Sequence, residues 1–263
     1  MQLYLLLVLQ ASLVMLGVFG LALALRRALP VRWSTWGWGA LAFVGSQALR
    51  LPLLTAIQLV TNPYLTGSDP EVLFWVNFAI LVPTSGLFEE AARYVVLRWG
   101  ARSARRWDDA VMFGAGHGGI EAILVFGAGL VSSLVLLTSG DAILEQLRSV
   151  SPAQADAVAT QIDMLRNLTP LLILPGIWER VLAILFHISA SILVMLAVRD
   201  RRLGLLWLAM LWHMVLNGTL LLVTHAYGII AAEVALTLIT AISVAVIVGT
   251  RRTERRLWAG GAI

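Results

Sequence analysis

Ionisable and amide side chains recur on four successive apolar segments of the sequence, at spacings that favour one helical face on each segment. Residues four apart lie on the same side of an α-helix. The spaced pairs are Glu89 with Arg93, His117 with Glu121, His187 with Ser191, and His213 with Asn217. Ionisable side chains inside apolar segments are costly and usually face the interior of a helix bundle, so we interpret these residues as functional.

The four polar stripes also agree in depth. Each lies roughly eight to twelve residues from the charged end of its own segment, which is about 12–18 Å at ~1.5 Å per residue, near the middle of a ~30 Å hydrocarbon core. The charged ends are marked by Arg98, Asp109, Arg199 and Arg202. Segments that run in opposite directions therefore reach one level, which predicts a single intramembrane site.

Two chemistries fit these residue types. Glu89 and Glu90 are adjacent carboxylates that would repel each other without compensation from Arg93 and nearby imidazoles, and a carboxylate of this kind can act as a general base toward water. Imidazoles and the Asn217 amide could stabilise the oxyanion. A glutamate with several histidines could equally bind a divalent metal such as zinc. The possible ligands are His117, Glu121, His187 and His213. The string HExxH is absent, so the sequence leaves open a zinc site or no cofactor.

The composition indicates the elements that must position this site. Of 263 residues, 59% are hydrophobic and only 13% are charged, against about 25% charged in a soluble domain. Without cysteine, the chain has no disulfide, thiolate metal site or cysteine nucleophile. We predict an all-α polytopic transmembrane bundle, residues 1–263 forming a single transmembrane domain with about seven spans. The predicted spans are 3–25, 34–60, 73–97, 109–137, 171–198, 203–224 and 227–250.

The arginines predict the orientation of the bundle. Fourteen follow the first, third, fifth and seventh predicted spans, whereas only Arg148 and Arg166 lie between spans on the other side. The arginine-rich side is expected to be cytoplasmic, which puts the N-terminus outside and the C-terminus inside. The net charge of +4 then reports topology, and no nucleic-acid partner is expected.

One sizeable loop, residues 138–170, is predicted on the extracytoplasmic side. Ser151 and Pro152 are typical of a helix start. Apolar residues then recur at helical spacing, which predicts a short amphipathic helix on the outer surface. These residues are Ala155, Val158, Ile162 and Leu165.

Taken in order, the strings on the four segments resemble the YhfC family of intramembrane proteases and, more distantly, the PrsW and type II CAAX-processing (CPBP) proteases. The resemblance covers a core of about residues 84–220. The matching strings are Glu89-Glu90-x-x-Arg93, Phe113-x-x-x-His117, Gly118-Gly119-Ile120-Glu121-Ala122, His187 and His213-x-x-x-Asn217. Arg93 follows the second glutamate by three residues, which fits PrsW and YhfC better than the CAAX-processing proteases.

The resemblance implies a glutamic-type or metal-dependent protease in a bacterial-type plasma membrane. Its substrate would be a membrane protein or peptide, and a glutamate would activate the water. Its implied catalytic residues are Glu89, Glu90, Arg93, His117, Glu121, His187, His213 and Asn217.

Three hypotheses follow from the polar stripes and the resemblance. The first is an intramembrane endopeptidase. The alternatives are a proton- or ion-coupled transporter, since buried glutamates and histidines also serve as relays, and a non-catalytic scaffold for membrane helices. We assign Glu179 and Arg180 to structural roles, with Glu179 neutralising Arg50, and we expect His225 at the membrane interface.

Overall fold

A computed structural model describes residues 2–167 and 170–259, and within them the chain is entirely helical, with no β-strand. A π-helical turn, Val96–Gly100, extends the third helix. The eight α-helices are α1 (Gln2–Ala28), α2 (Trp33–Leu65), α3 (Pro70–Val95), α4 (Trp107–Val150), α5 (Pro152–Arg166), α6 (Pro170–Arg199), α7 (Leu203–Tyr227) and α8 (Ile229–Ala259).

Seven of these helices, all except α5, are long and apolar enough to cross a membrane. The predicted all-α bundle of about seven spans is thereby confirmed, and every spanning helix begins within three residues of its predicted start. The apolar stretches were informative because a helix needs about 20 such residues to cross the hydrocarbon core. The orientation of the termini stays a prediction.

The predicted boundary at residue 137 differs from the structure, because α4 continues as one helix to Val150. Residues 138–150 contain no proline and include good helix formers such as Glu145 and Leu147, so nothing in that stretch ends the helix. Pro152 instead occupies the first turn of α5, where proline is tolerated. The short helix predicted within 138–170 is present as α5.

The apolar face of α5 packs back against α4. Ala155 and Ile162 are buried, and a side chain added at Gly140 of α4 would lie 2.6 Å from Cδ1 of Ile162. Glycine at this point allows the two helices to approach closely. The predicted amphipathic pattern therefore serves a helical hairpin.

Helices α1, α2 and α6 surround α4, and glycines allow them to approach it. A Cβ on Gly114 would lie 2.8 Å from the carbonyl oxygen of His187 on α6, and one on Gly116 would overlap the backbone of Trp36 on α2. On the other side of the bundle, α3 packs between α2 and α7, and α8 packs against α6 and α7. Both faces of α4 around His117 are thus held against neighbouring backbones.

Candidate functional site

Helices α3, α4, α6 and α7 each contribute to one connected cluster of polar side chains in the interior of the bundle. The cluster contains Glu89, Glu90 and Arg93 of α3, His117 and Glu121 of α4, His187 of α6 and His213 of α7. All of them are buried except Glu121, which is partly buried. The structure thus brings together seven of the eight residues predicted for the site.

Adjacent carboxylates on α3 face different partners. Glu89 Oε2 lies 3.1 Å from Nε2 of His117, whereas Glu90 Oε1 lies 2.7 Å from Nδ1 of His213. Consecutive helical residues point about 100° apart, so a single glutamate pair can contact α4 and α7 at once. Glu90 also pairs with Arg93 one turn further along α3.

Arg93 is fully buried and connects α3 to α6. Besides its pair with Glu90, its Nη2 lies 2.6 Å from Nδ1 of His187 and 3.8 Å from Oε2 of Glu89. The other ring nitrogen of His187, Nε2, lies 2.5 Å from Oε2 of Glu121. One guanidinium therefore compensates the two α3 carboxylates and orients an imidazole, as buried charges require.

Four of the side chains could hold a metal ion together. Glu89, His117, Glu121 and His187 each offer one ligand atom, and these atoms all lie within 4.8 Å of one another. Two carboxylates and two imidazoles are an ordinary ligand set for zinc. The buried Nδ1 of His117 has no hydrogen-bond partner, so in the tautomer that carries its proton on Nε2 this nitrogen offers an unused lone pair. The residues present therefore fit a divalent metal.

This group differs from the predicted ligand set in one member. Glu89 is in it, while His213 is not: Nδ1 of His213 is 2.7 Å from Glu90, and its Nε2 is 3.8 Å from Oε2 of Glu89. His213, which belongs to α7, therefore lies beside this group of four and not within it.

Asn217 lies one turn beyond His213 on α7, and its hydrogen bond is to a serine, not to a carboxylate of the cluster. Its Nδ2 donates to Oγ of Ser85 on α3, over 2.8 Å. Both side chains line the cavity described below. The structure therefore puts Asn217 next to the cluster, at the wall of the space in front of it.

Two residues that sequence analysis did not assign to the site contact it directly. Nε2 of Gln47 on α2 donates to Oε1 of Glu89 over 3.3 Å, and Nη1 of Arg180 on α6 donates to Oε1 of Glu121 over 3.3 Å. Arg180 is seven residues before His187, so its position on the same helical stripe was the available signal. Gln47 is one uncharged amide in an apolar segment, which gave no comparable signal.

The ion pair expected between Glu179 and Arg50 is not the one that the structure contains. Glu179 pairs with its neighbour Arg180 and, among the described residues, not with Arg50. Arg50 instead donates from Nε to Oγ1 of Thr84 over 3.3 Å and from Nη2 to the carbonyl of Leu81 over 3.0 Å. Glu179 therefore pairs with the arginine nearest to it in sequence.

His225 lies at the end of α7, away from the cluster. Its Nε2 is 2.9 Å from Oε2 of Glu71 at the start of α3, and its ring stacks on that of Phe74 with centroids 3.8 Å apart. Both His225 and Glu71 are exposed, and the position of His225 at the membrane interface stays a prediction.

A cavity of about 240 Å³ lies in front of the cluster. Gln47, Glu89, Glu121, His187 and His213 form its inner polar wall. It continues along α2, α6 and α7 toward the end of the bundle that carries α5, opposite the arginine-rich connections. The lining beyond the cluster is Phe43, Arg50, Ser85, Val125, Glu179, Arg180, Ala183, Leu216, Asn217, Leu220 and Leu236. The cavity thus has polar groups at its base and a mixture of charged, polar and apolar side chains along its walls.

Comparison with known proteins finds two similarities. A family model described as YhfC intramembrane metalloprotease matches residues 12–247. The uncharacterized membrane protein YhfC of Bacillus subtilis (strain 168) is 36% identical over 175 residues, and the match covers 64% of this chain and 66% of the relative. The match thus spans slightly less than two thirds of that relative. No solved structure matches the chain.

Proposed function

The chain belongs to the YhfC intramembrane metalloprotease family, and from this we propose that it is an intramembrane endopeptidase that hydrolyses a peptide bond in a membrane protein or membrane-associated peptide. The observation that carries the proposal is the convergence of two carboxylates and two imidazoles within 4.8 Å, deep in a bundle of membrane-spanning helices. A site built only for packing would not need four metal-binding side chains from three helices.

His117, Glu121 and His187 are the proposed metal ligands, because catalytic zinc sites commonly use three protein ligands and leave a position for the reaction. Arg180 donates to Glu121, so this ligand is oriented by a second side chain. Arg93 lies beside Nδ1 of His187, which directs the other ring nitrogen of His187 toward Glu121. A divalent metal such as zinc supplies Lewis-acid chemistry when bound at these residues.

Glu89 is the proposed proton acceptor for the attacking water. It lines the cavity, whereas Glu90 does not, so Glu89 is the α3 carboxylate that a substrate and water can reach. Gln47 and His117 each contact one of its oxygens and fix its orientation. After taking the proton, Glu89 can deliver it to the leaving amine nitrogen, since the same carboxylate faces both.

Glu90 and Arg93 act as positioning residues in this proposal. Glu90 is completely buried, and its contacts with Arg93 and His213 set the direction of the His213 ring. His213 and Asn217 line the cavity next to Glu89. An N–H group at this position can stabilise the oxyanion that forms when water attacks the peptide carbonyl.

Metal content and proteolysis test the proposal together. Purified wild type should contain about one equivalent of divalent metal, and His117→Ala and Glu121→Gln should contain far less. Glu145→Gln is the matched control, since Glu145 is an exposed glutamate on the same helix. Membrane proteomes of cells carrying wild type should contain cleavage fragments that are missing with Glu89→Gln. Equal metal in all four proteins, or the same fragments with Glu89→Gln, would overturn the assignment.

A further inference from the structure

Arg50 is an intramembrane arginine whose charge is not paired with a carboxylate. It lies within the membrane-spanning part of α2, and no carboxylate of the described residues approaches it within 4.0 Å. Its two hydrogen bonds, to Thr84 and to the Leu81 carbonyl, use two of the five donors of a guanidinium. Three N–H donors therefore remain.

The other arginines at comparable depth are paired. Arg93 binds Glu90 and Arg180 binds Glu179 and Glu121. Arg50 differs from both because its direct contacts are with neutral oxygens, although it lines the same cavity as the cluster. An arginine kept inside a membrane without a counter-charge is expected to face water or a ligand that supplies one.

We infer that Arg50 forms a substrate subsite that binds a carboxylate and thereby determines which peptides are cleaved. That the bound peptide is a substrate rests on the proposed function. That a carboxylate binds here follows from the cavity and the guanidinium, which no carboxylate in the described part of the chain contacts. The planar fork of N–H donors matches the two oxygens of a carboxylate. Glu89 and Glu121, which line the same cavity, act on this charge from a distance, but no carboxylate of the described residues contacts it.

The position of Arg50 along the bundle sets the distance between this subsite and the hydrolysed bond. Thr84, to which Arg50 donates, precedes Glu89 by five residues on α3, which is about 7.5 Å of helical rise. Two residues of an extended peptide span about 7 Å. The carboxylate should therefore lie about two residues from the scissile bond, and Leu216 and Leu220 on the cavity wall favour an apolar residue nearby.

The carboxylate has two possible sources, a free C-terminus or an aspartate or glutamate side chain. Binding of a fluorescent apolar octapeptide to the metal-stripped protein distinguishes them by fluorescence polarisation. The peptide is made with a free C-terminus, with a C-terminal amide, and as amides with a single glutamate or glutamine at each internal position. Wild type should bind one carboxylate-bearing class about tenfold more tightly than the neutral peptides, a factor ordinary for a charge-assisted hydrogen bond.

Three variants identify Arg50 as the cause. Arg50→Gln should remove the tenfold preference and leave the affinity for the neutral peptide unchanged, while Arg50→Lys should keep part of it. Thr84→Val is the matched control, since it removes a partner of Arg50 but keeps the guanidinium, and it should retain the preference. Equal binding of acidic and neutral peptides by wild type, no binding of any peptide, or a preference that survives in Arg50→Gln would overturn the inference.

A cleavage assay separates this result from the proposed function. The same peptides are incubated with the metal-restored wild type and analysed by mass spectrometry. A carboxylate preference in binding without any cleavage would remove the protease assignment and leave the subsite in place. Cleavage without a carboxylate preference would remove the subsite and leave the protease assignment in place.

Discussion

Substitution of Gly114 by alanine should damage the site without touching any of its polar atoms. The new Cβ would lie 2.5 Å from Cα of Ile188 and 2.8 Å from the carbonyl oxygen of His187, both on α6. These are backbone atoms, so no change of side-chain rotamer relieves the overlap. Ordinary contacts begin near 3.4 Å, and α6 must therefore move away from α4 by roughly 1 Å.

That displacement has two measurable costs. Overpacking of a tight interface lowers the free energy of unfolding by about 1–3 kcal/mol. Because His187 lies on the displaced backbone, its distance of 2.5 Å from Glu121 should lengthen by a similar amount. A misplacement of about 1 Å commonly lowers a catalytic rate by around 100-fold.

The assay for Gly114→Ala measures the loss of stability and the damage to the site on the same protein. Unfolding is followed by circular dichroism in mixed micelles with increasing SDS, and metal content and proteolysis are measured on the same preparation. Gly127→Ala is the matched control, since Gly127 is on the same helix and a Cβ there meets no atom within 4 Å. If Gly114→Ala and Gly127→Ala behave alike in stability and metal content, the close approach of α4 and α6 is not what orients His187.

Two further substitutions test the electrostatics of the bundle in the same unfolding assay. Arg93→Met should lower the free energy of unfolding by about 3–5 kcal/mol, because it leaves the buried Glu90 carboxylate without its cation. Arg166→Met is the control: it removes an exposed ion pair and should change the free energy of unfolding little. A small effect of Arg93→Met would contradict the pairing. Glu233→Met should raise stability by about 1–3 kcal/mol, because the Glu233 side chain is buried and neither carboxylate oxygen has a hydrogen-bond partner. A loss of stability in that variant would mean that Glu233 has an essential partner.

The spans and the depth of the polar stripes were readable from the sequence because the bilayer imposes both. A helix that crosses hydrocarbon must be apolar along its length, so its ends and the few costly charges within it stand out. The spacing of four between His117 and Glu121 put both on one face, and both occur in the cluster. Their roles in catalysis stay predictions.

The partners across helices were not readable, because they depend on how each helix is rotated and how high it stands. Glu89 and Glu90 are neighbours in sequence, yet they face α4 and α7 respectively. From the sequence we assign Arg180 a structural role, but its long side chain reaches Glu121. Long side chains in membranes routinely bring their charge several ångströms from their own Cα.

The length of α4 gives the bundle a mechanical property. The helix has 44 residues and no proline, so it measures about 66 Å, roughly twice the hydrocarbon thickness. Val150 lies 33 residues beyond His117, a lever arm of about 50 Å, and a tilt of 5° about His117 moves that end by about 4 Å. Packing of α5 against α4 stiffens the part of α4 that is farthest from His117. A load applied to the hairpin would be transmitted as torque to the helix that carries His117 and Glu121.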